Sequence, residues 1–226
     1  MFPPMHPPVR QIRDCGGLTL VLFCFQALIM SQCFPHQLRS ARLLLRRLHP
    51  DDAEALCAYR SLPEVARYQY WDCFCPDDAA RLIEEQVGAE PNIPGKWFQL
   101  AIVKADAGCV IGDCGLHCHK EHPHQMEIGI TLAPRHQGRR YADEAIECLL
   151  DYIFGNLDKH RVFASMDVLN LPAVALCRRM GFRQEAHLVE NIWFKGKWGS
   201  EYMYAMLKRE WEARIMHRKS TNQLIV

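Results

Sequence analysis

The chain has 226 residues, 49% of them hydrophobic, and a formal net charge of +1. This is the composition of an ordinary globular protein, with enough apolar residues for one substantial core. The near-neutral charge removes the electrostatic case for a nucleic-acid or membrane-surface partner, and no internal repeat is evident.

In chain order, the first notable segment is 17–30, GLTLVLFCFQALIM, apolar and uncharged behind Arg10 and Arg13. It is short for a membrane span and has the length of a signal-peptide apolar region. Ser31-Gln32-Cys33 is nevertheless a poor cleavage site. Ala41–Leu48 reads as the first strand. Pro50-Asp51-Asp52 starts a helix carrying Ala53, Ala55, Leu56 and Tyr59, and Pro76-Asp77-Asp78 starts another, from Asp78 to about Val87. Trp97–Val103 and Val110–His117 read as a strand pair about a turn at Lys104–Gly108.

The hairpin that follows is crowded with Cys114, His117, Cys118, His119, His122 and His124. Cysteine and histidine are zinc ligands, but the spacing contains no paired Cys-x-x-Cys unit. In an extended strand Cys114 and Cys118 take one face while His117 and His119 take the other. No metal site is read here. Cys73-Phe74-Cys75 is too tight for an easy internal disulfide, so the thiols read as reduced, as in a cytoplasmic protein.

Residues 126–145, MEIGITLAPRHQGRRYADEA, carry most of the functional signal. Met126, Ile128, Ile130 and Leu132 alternate with Glu127, Gly129 and Thr131, the period of a half-buried strand. A loop with Gln137-Gly138-Arg139-Arg140 follows. Ala142, Ala145, Ile146, Leu149, Leu150 and Ile153 then recur at helical spacing, with Asp143, Glu144, Glu147 and Asp151 opposite. Backbone N–H groups at a glycine turn before a helix form an anion cradle, and the helix dipole adds to it. A diphosphate suits it. A P-loop Gly-x-x-x-x-Gly-Lys-Ser/Thr run is missing, and so is a Gly-x-Gly-x-x-Gly after a strand.

Val162–Val168 reads as a further strand. Asn170 caps the helix Leu171–Met180, Pro172 sits in its first turn, and Gly181 ends it. Strand Ile192–Phe194, the turn Lys195-Gly196-Lys197 and strand Glu201–Leu207 close the sheet. The tail after Trp211 is basic and is expected to fray.

The segments EIGITLAPRHQGRRYADEA, HRVFASMDVLNLPAVALCRRMGF, ENIWFKGKWGSEYMYAML and LLLRRLHPDDAEALCAYRSLPEVARYQYWD, in this family order, resemble the GNAT superfamily of acetyl-CoA-dependent N-acetyltransferases. The branch resembled is the one related to the RimJ/RimL ribosomal-protein enzymes. The resemblance runs from about Ala41 to Trp211. It implies an α/β fold with a mixed, mostly antiparallel central sheet and helices on both faces. It places one domain at 41–212, an N-terminal extension at 1–40 and a tail at 213–226, with acetyl-CoA as cosubstrate and no metal. The family loop pattern is Gln/Arg-x-x-Gly-x-Gly/Ala. Arg135 and Gly138 match it, whereas Arg140 stands where Gly or Ala is usual. Arginine there keeps the cradle if its φ and ψ are ordinary, its charge then helping, or else it narrows the site.

Carried onto this chain, the resemblance implies that N–H groups around Gln137, Gly138, Arg139, Arg140, Tyr141 and Ala142 hold the CoA diphosphate. The strand end at Thr131 and Leu132 would pair with the pantetheine arm. Asn170 would reach the cofactor, cap its helix, or do both. The implied reaction is direct attack by a neutral amine on the acetyl thioester, which needs a base. Glu127 is the candidate, on the same strand and away from its apolar side; the alternative is a carboxylate paired with a nearby cation. A backbone N–H near Leu132 would polarise the carbonyl. Many relatives place a tyrosine acid where this chain has Cys177, which reads as a small core residue, and Tyr141 reads as packing at its helix start.

The stretch Tyr68-Gln69-Tyr70-Trp71-Asp72 falls on the acceptor side. It forms either an aromatic cleft or a lid over the core, and Trp193 and Trp198 carry the same two readings. The extension 1–40 is read as a start-site artefact ahead of Met30 or a disordered extension, ahead of a membrane anchor and then a cleaved signal. The acceptor is expected to be a primary amine of a small molecule. The alternatives are a protein N-terminus, or a non-catalytic acyl-CoA binder. The chain is expected to be a monomer or homodimer, in the cytoplasm, with no nucleic-acid partner.

Overall fold

The computed structural model describes residues 34–223; the apolar segment 17–30 lies outside them. Strands β1 (Gln37–Arg39) and β2 (Leu43–Arg47) precede three helices, α1 (Ala53–Arg60), α2 (Pro63–Ala66) and α3 (Pro76–Glu85). Strands β3 (Trp97–Lys104), β4 (Val110–Cys118) and β5 (Gln125–Leu132) lead to α4 (Tyr141–Gly155). Then come β6 (Arg161–Asp167), α5 (Leu171–Met180), β7 (Arg183–Phe194), β8 (Lys197–Leu207) and α6 (Lys208–Gln223). All eight strands join one sheet, in the order β1-β2-β3-β4-β5-β6-β8-β7. Every neighbouring pair is antiparallel except β5 with β6.

Alternation along the strands builds two cores, one on each face. On β3, Phe98, Leu100 and Ile102 point into the larger core, with α4, α5 and Trp211. Their neighbours Ala101 and Val103 point into the smaller one, formed with Leu56, Tyr59, Val65, Ala79 and Ile83 of α1, α2 and α3. Helices therefore cover both faces, as the strand pattern requires. On β5, Met126, Ile128 and Leu132 join the larger core. Glu127, Gly129 and Thr131 are left on the α1–α3 face.

The parallel pair is short. β5 and β6 register only at Gln125↔Arg161, Met126↔Val162 and Glu127↔Phe163. Beyond Glu127 the strands part: β5 stays on β4 as far as Leu132, and β6 stays on β8 as far as Asp167. Among the described residues, no strand lies beside the facing edge of β5 from Ile128 onward.

Three expectations change. Order begins before Ala41, since Phe34 is buried against Phe98 and Tyr152 and β1 pairs with β2. The strand before the Lys195-Gly196 turn starts at Arg183 rather than Ile192; its residues are mostly exposed, so they show no half-buried alternation. The tail does not fray after Trp211 but is helical to Gln223. Trp211 itself is 3% exposed, and its Nε1 donates to Asp151 Oδ1 at 3.0 Å. Among the described residues no helix is long and apolar enough to cross a membrane. Replacing Trp211 with alanine is expected to lower the unfolding free energy by about 3–5 kcal/mol in urea titrations, because a large core side chain is deleted.

Candidate active site

The parting of β5 and β6 opens the sheet, and two cavities of about 450 and 580 Å³ meet along it. They share Tyr68, Gln69, Ile130, Thr131, Asn170, Ala173 and Leu176 as walls. Tyr68 and Gln69 span the gap. The Tyr68 hydroxyl donates to Leu169 O at 3.0 Å on the β6 side, and Gln69 Nε2 to Thr131 Oγ1 at 3.4 Å on β5. Lys195, at the β7–β8 turn, pins this segment by donating to Ala66 O at 2.9 Å and Trp71 O at 2.7 Å.

The larger cavity is the anion side. Thr131, Leu132, Gln137, Gly138, Arg140, Tyr141, Ala142 and Asn170 all line it, which gathers eight of the nine predicted cofactor residues. The N–H groups of Gly138, Arg139 and Arg140 meet no backbone carbonyl among the described residues, and the first N–H groups of α4 have none within the helix. His136, which the loop motif did not single out, lines the same cavity with its Nδ1 buried and unpartnered. Burial, followed by Arg135, Arg139 and Lys104, pushes its pKa down. Arg179 lines this wall as well. Its hydrogen bonds hold the Asp143 carboxyl below the ordinary carboxylate range, against partial burial, and Arg140 adds to the effect. Open N–H groups beside the Arg179 guanidinium fit a diphosphate.

Arg140 resolves differently from either sequence expectation. Its φ is 64° and its ψ 15°, the left-handed conformation that glycine adopts without strain. The backbone thus keeps the glycine path despite the Cβ. The side chain points out, 70% exposed, with Nη1 3.1 Å from Asp143 Oδ1. Gly138 has φ 72° and open space around the Cβ position.

Other predicted residues divide. Arg139 is exposed and off the cavity wall, its carbonyl accepting from Arg42 Nη1 at 3.3 Å. Tyr141 is buried beneath the Arg42 guanidinium, 4.5 Å away, so its ring packs the helix start. The Leu132 carbonyl accepts from Gln137 Nε2 at 2.9 Å, which ties the loop to the strand end. Asn170 caps α5, its Oδ1 accepting from Ala173 N at 3.3 Å, while facing both cavities. Cys177 is buried on the smaller cavity, its thiol pushed up by burial to about 12.

The smaller cavity holds Glu127 at the vertex of the gap, with Glu85, Asp167 and Glu201 also on its wall. Burial, and then the Glu201 carboxylate, push the Glu127 pKa above the ordinary value, with His119 opposing. His117 Nδ1 is 3.7 Å from Glu127 Oε2. Among the described residues no arginine or lysine pairs with Glu127. The one wall arginine is committed elsewhere: Arg60 Nε donates to buried Asp113 at 3.0 Å, and Gln99 Nε2 does so at 3.2 Å. Arg60 also lies 4.7 Å from the Trp71 ring and 5.1 Å from Phe74, so Trp71 packs over this pair. Tyr70 is 84% exposed, at the mouth rather than on the core. Trp193 and Trp198 pack on each other across the β7–β8 hairpin and line neither cavity. Sequence reasoning missed the Arg60–Asp113 pair, although an aspartate inside VIGDCGL is a detectable signal. It also missed Glu201 as a site residue, since strand alternation says nothing of which strand lies opposite.

A family profile described as "Acetyltransferase (GNAT) domain" matches residues 42–183. The chain is 32% identical to the uncharacterized N-acetyltransferase p20 of Bacillus licheniformis over 174 residues, 77% of this chain and 97% of that one. Over 72 residues, 32% of this chain and 42% of the other, it is 39% identical to a spermidine N(1)-acetyltransferase of Vibrio cholerae. A GNAT-family acetyltransferase structure from Bacillus anthracis superposes with a TM-score of 0.70 at 26% identity, covering 77% of this chain and 99% of that one.

The αL backbone at Arg140 yields a direct comparison. Arg140→Gly is expected to be more stable than Arg140→Ala by about 1 kcal/mol in thermal or urea unfolding, because only glycine relieves the positive φ. Equal stabilities would mean that the loop relaxes out of this conformation.

Proposed function

The chain belongs to the GNAT acetyltransferase family, and on that premise we propose that it acetylates a primary amine of a small, cationic molecule. Acetyl-CoA supplies the acetyl group as a thioester. In this reading the N–H groups of 138–142, with Arg179, hold the diphosphate end, and the open edge of β5 at Ile130–Leu132 aligns the pantetheine arm. Asn170 contributes its amide nitrogen from the α5 turn. Glu127, beside the gap, takes the proton that the attacking amine must lose.

The observation that carries the proposal is the charge on the acceptor wall. Glu85, Glu127, Asp167 and Glu201 line the smaller cavity, while Arg60 is spent on Asp113. A cationic amine is drawn into such a compartment, and a raised Glu127 pKa makes it the stronger base there. The likeness to a spermidine acetyltransferase supports the same acceptor class.

The test is acetyl-CoA turnover with linear polyamines, neutral monoamines and N-terminal peptides. The highest kcat/KM is expected for polyamines; turnover of peptides alone would sink the small-molecule acceptor. Glu127→Gln is expected to lower kcat by about 10²–10⁴.

A pH profile tests the base separately. Glu127 works as an anion, so activity falls as pH drops through its folded pKa. Because that pKa is raised, the acid limb of kcat/KM is expected above the ordinary carboxylate value of 4.5. Glu201→Gln removes the like charge, so the limb is expected to move to lower pH. An unmoved limb would mean that the two carboxylates are not coupled.

A further inference from the structure

We infer that the site accepts acyl groups longer than acetyl, and that an apolar arm beneath the β5–β6 gap, walled by Cys177 and Ala164, sets their length. This rests on the transferase reading above. The smaller cavity does not end at the carboxylates. Through the gap it reaches the α4–α5 face of the sheet, where its walls are Ile146, Ala164, Met166, Leu176, Cys177 and Met180. Each of these belongs to the larger core and is less than 10% exposed. None carries a charge. The carboxylates Glu85, Glu127 and Glu201 and the Arg60–Asp113 pair make up a polar compartment of the same cavity.

One cavity therefore offers two chemistries on either side of the gap. A carbonyl held at the gap has an apolar direction for its chain and an acidic direction for the incoming amine. The two do not compete for space. Small side chains keep the apolar arm open: Ala164 on β6, and Cys177 and Ala173 on α5. The Cys177 thiol stays protonated, since burial pushes it up to about 12, so it serves as neutral wall. A bulkier side chain at 164 or 177 would fill the arm. Each further methylene buried in an apolar wall tightens binding about fourfold.

Calorimetry on the full chain with CoA, acetyl-CoA and butyryl-CoA tests this without turnover. Butyryl-CoA, with two more methylenes, is expected to bind about fifteenfold more tightly than acetyl-CoA. Equal or weaker butyryl-CoA binding, with acetyl-CoA still bound, overturns the inference and leaves acetyl transfer standing. Failure to bind any of the three defeats the transferase reading and this inference together. Cys177→Phe is expected to erase the butyryl preference. Ala164→Val attacks the arm from β6 and decides the matter if Cys177→Phe does not fold, as checked by its circular-dichroism melt. A folded variant of either kind that keeps the preference places the chain elsewhere and overturns the assignment.

Discussion

The whole candidate site depends on two strands that stop pairing. β5 and β6 share three register positions and then separate. An unpaired strand edge inside a sheet leaves backbone N–H and C=O groups without partners, and such groups are costly to bury dry. The cavities along the gap leave the β5 edge open. Neither strand can drift back, because each is held on its other side: β5 by seven registered pairs with β4, β6 by seven with β8. Tyr68 and Gln69 bridge the gap from above, and Lys195 fixes the segment that carries them.

The gap also separates charge. Anion-binding groups gather where α4 begins, because helix starts expose N–H groups and the loop ahead of it turns through two positive-φ residues, Gly138 and Arg140. Carboxylates gather on the acceptor side, where burial and then the Glu201 carboxylate raise the energy of the charged form of Glu127. Arg60 could have neutralised that wall, but Asp113 and the rings of Trp71 and Phe74 hold it in place. The result is one opening with opposite electrostatic character at its two ends, the complement that the proposed anionic donor and cationic acceptor would need.

Arg140 shows what a backbone path demands of its residue. The loop must turn sharply to start α4 with its N–H groups facing the cavity, and the left-handed conformation does this. Glycine would adopt it freely. Arginine is held there by its neighbours, with Asp143 and Arg179 forming the cluster that its side chain joins. Strain of about 1–3 kcal/mol at a residue lining a ligand cavity is a familiar exchange of stability for geometry.

Local chemistry determined much of this protein. Alternation at Met126–Leu132, the loop glycine, the apolar stripe of α4, and Asn170 and Gly181 at the ends of α5 are all signals within a turn or two of chain. The corresponding elements formed where they were read. Glu127 and the loop before α4 were legible as candidates for the same reason, helped by their resemblance to a known family. Only tertiary structure decided the rest. Arg183–Val189 joined a strand through pairing with β8, since its exposed residues carry no periodic signal. The last helix formed because Trp211 found a core to enter. Glu201 and the Arg60–Asp113 pair came to the site from distant segments. The parting of β5 from β6 was invisible in either strand, because it depends on which third strand occupies each one's other edge. Local sequence encodes backbone preference and facing, whereas which segments become neighbours is settled by the packing of the whole chain.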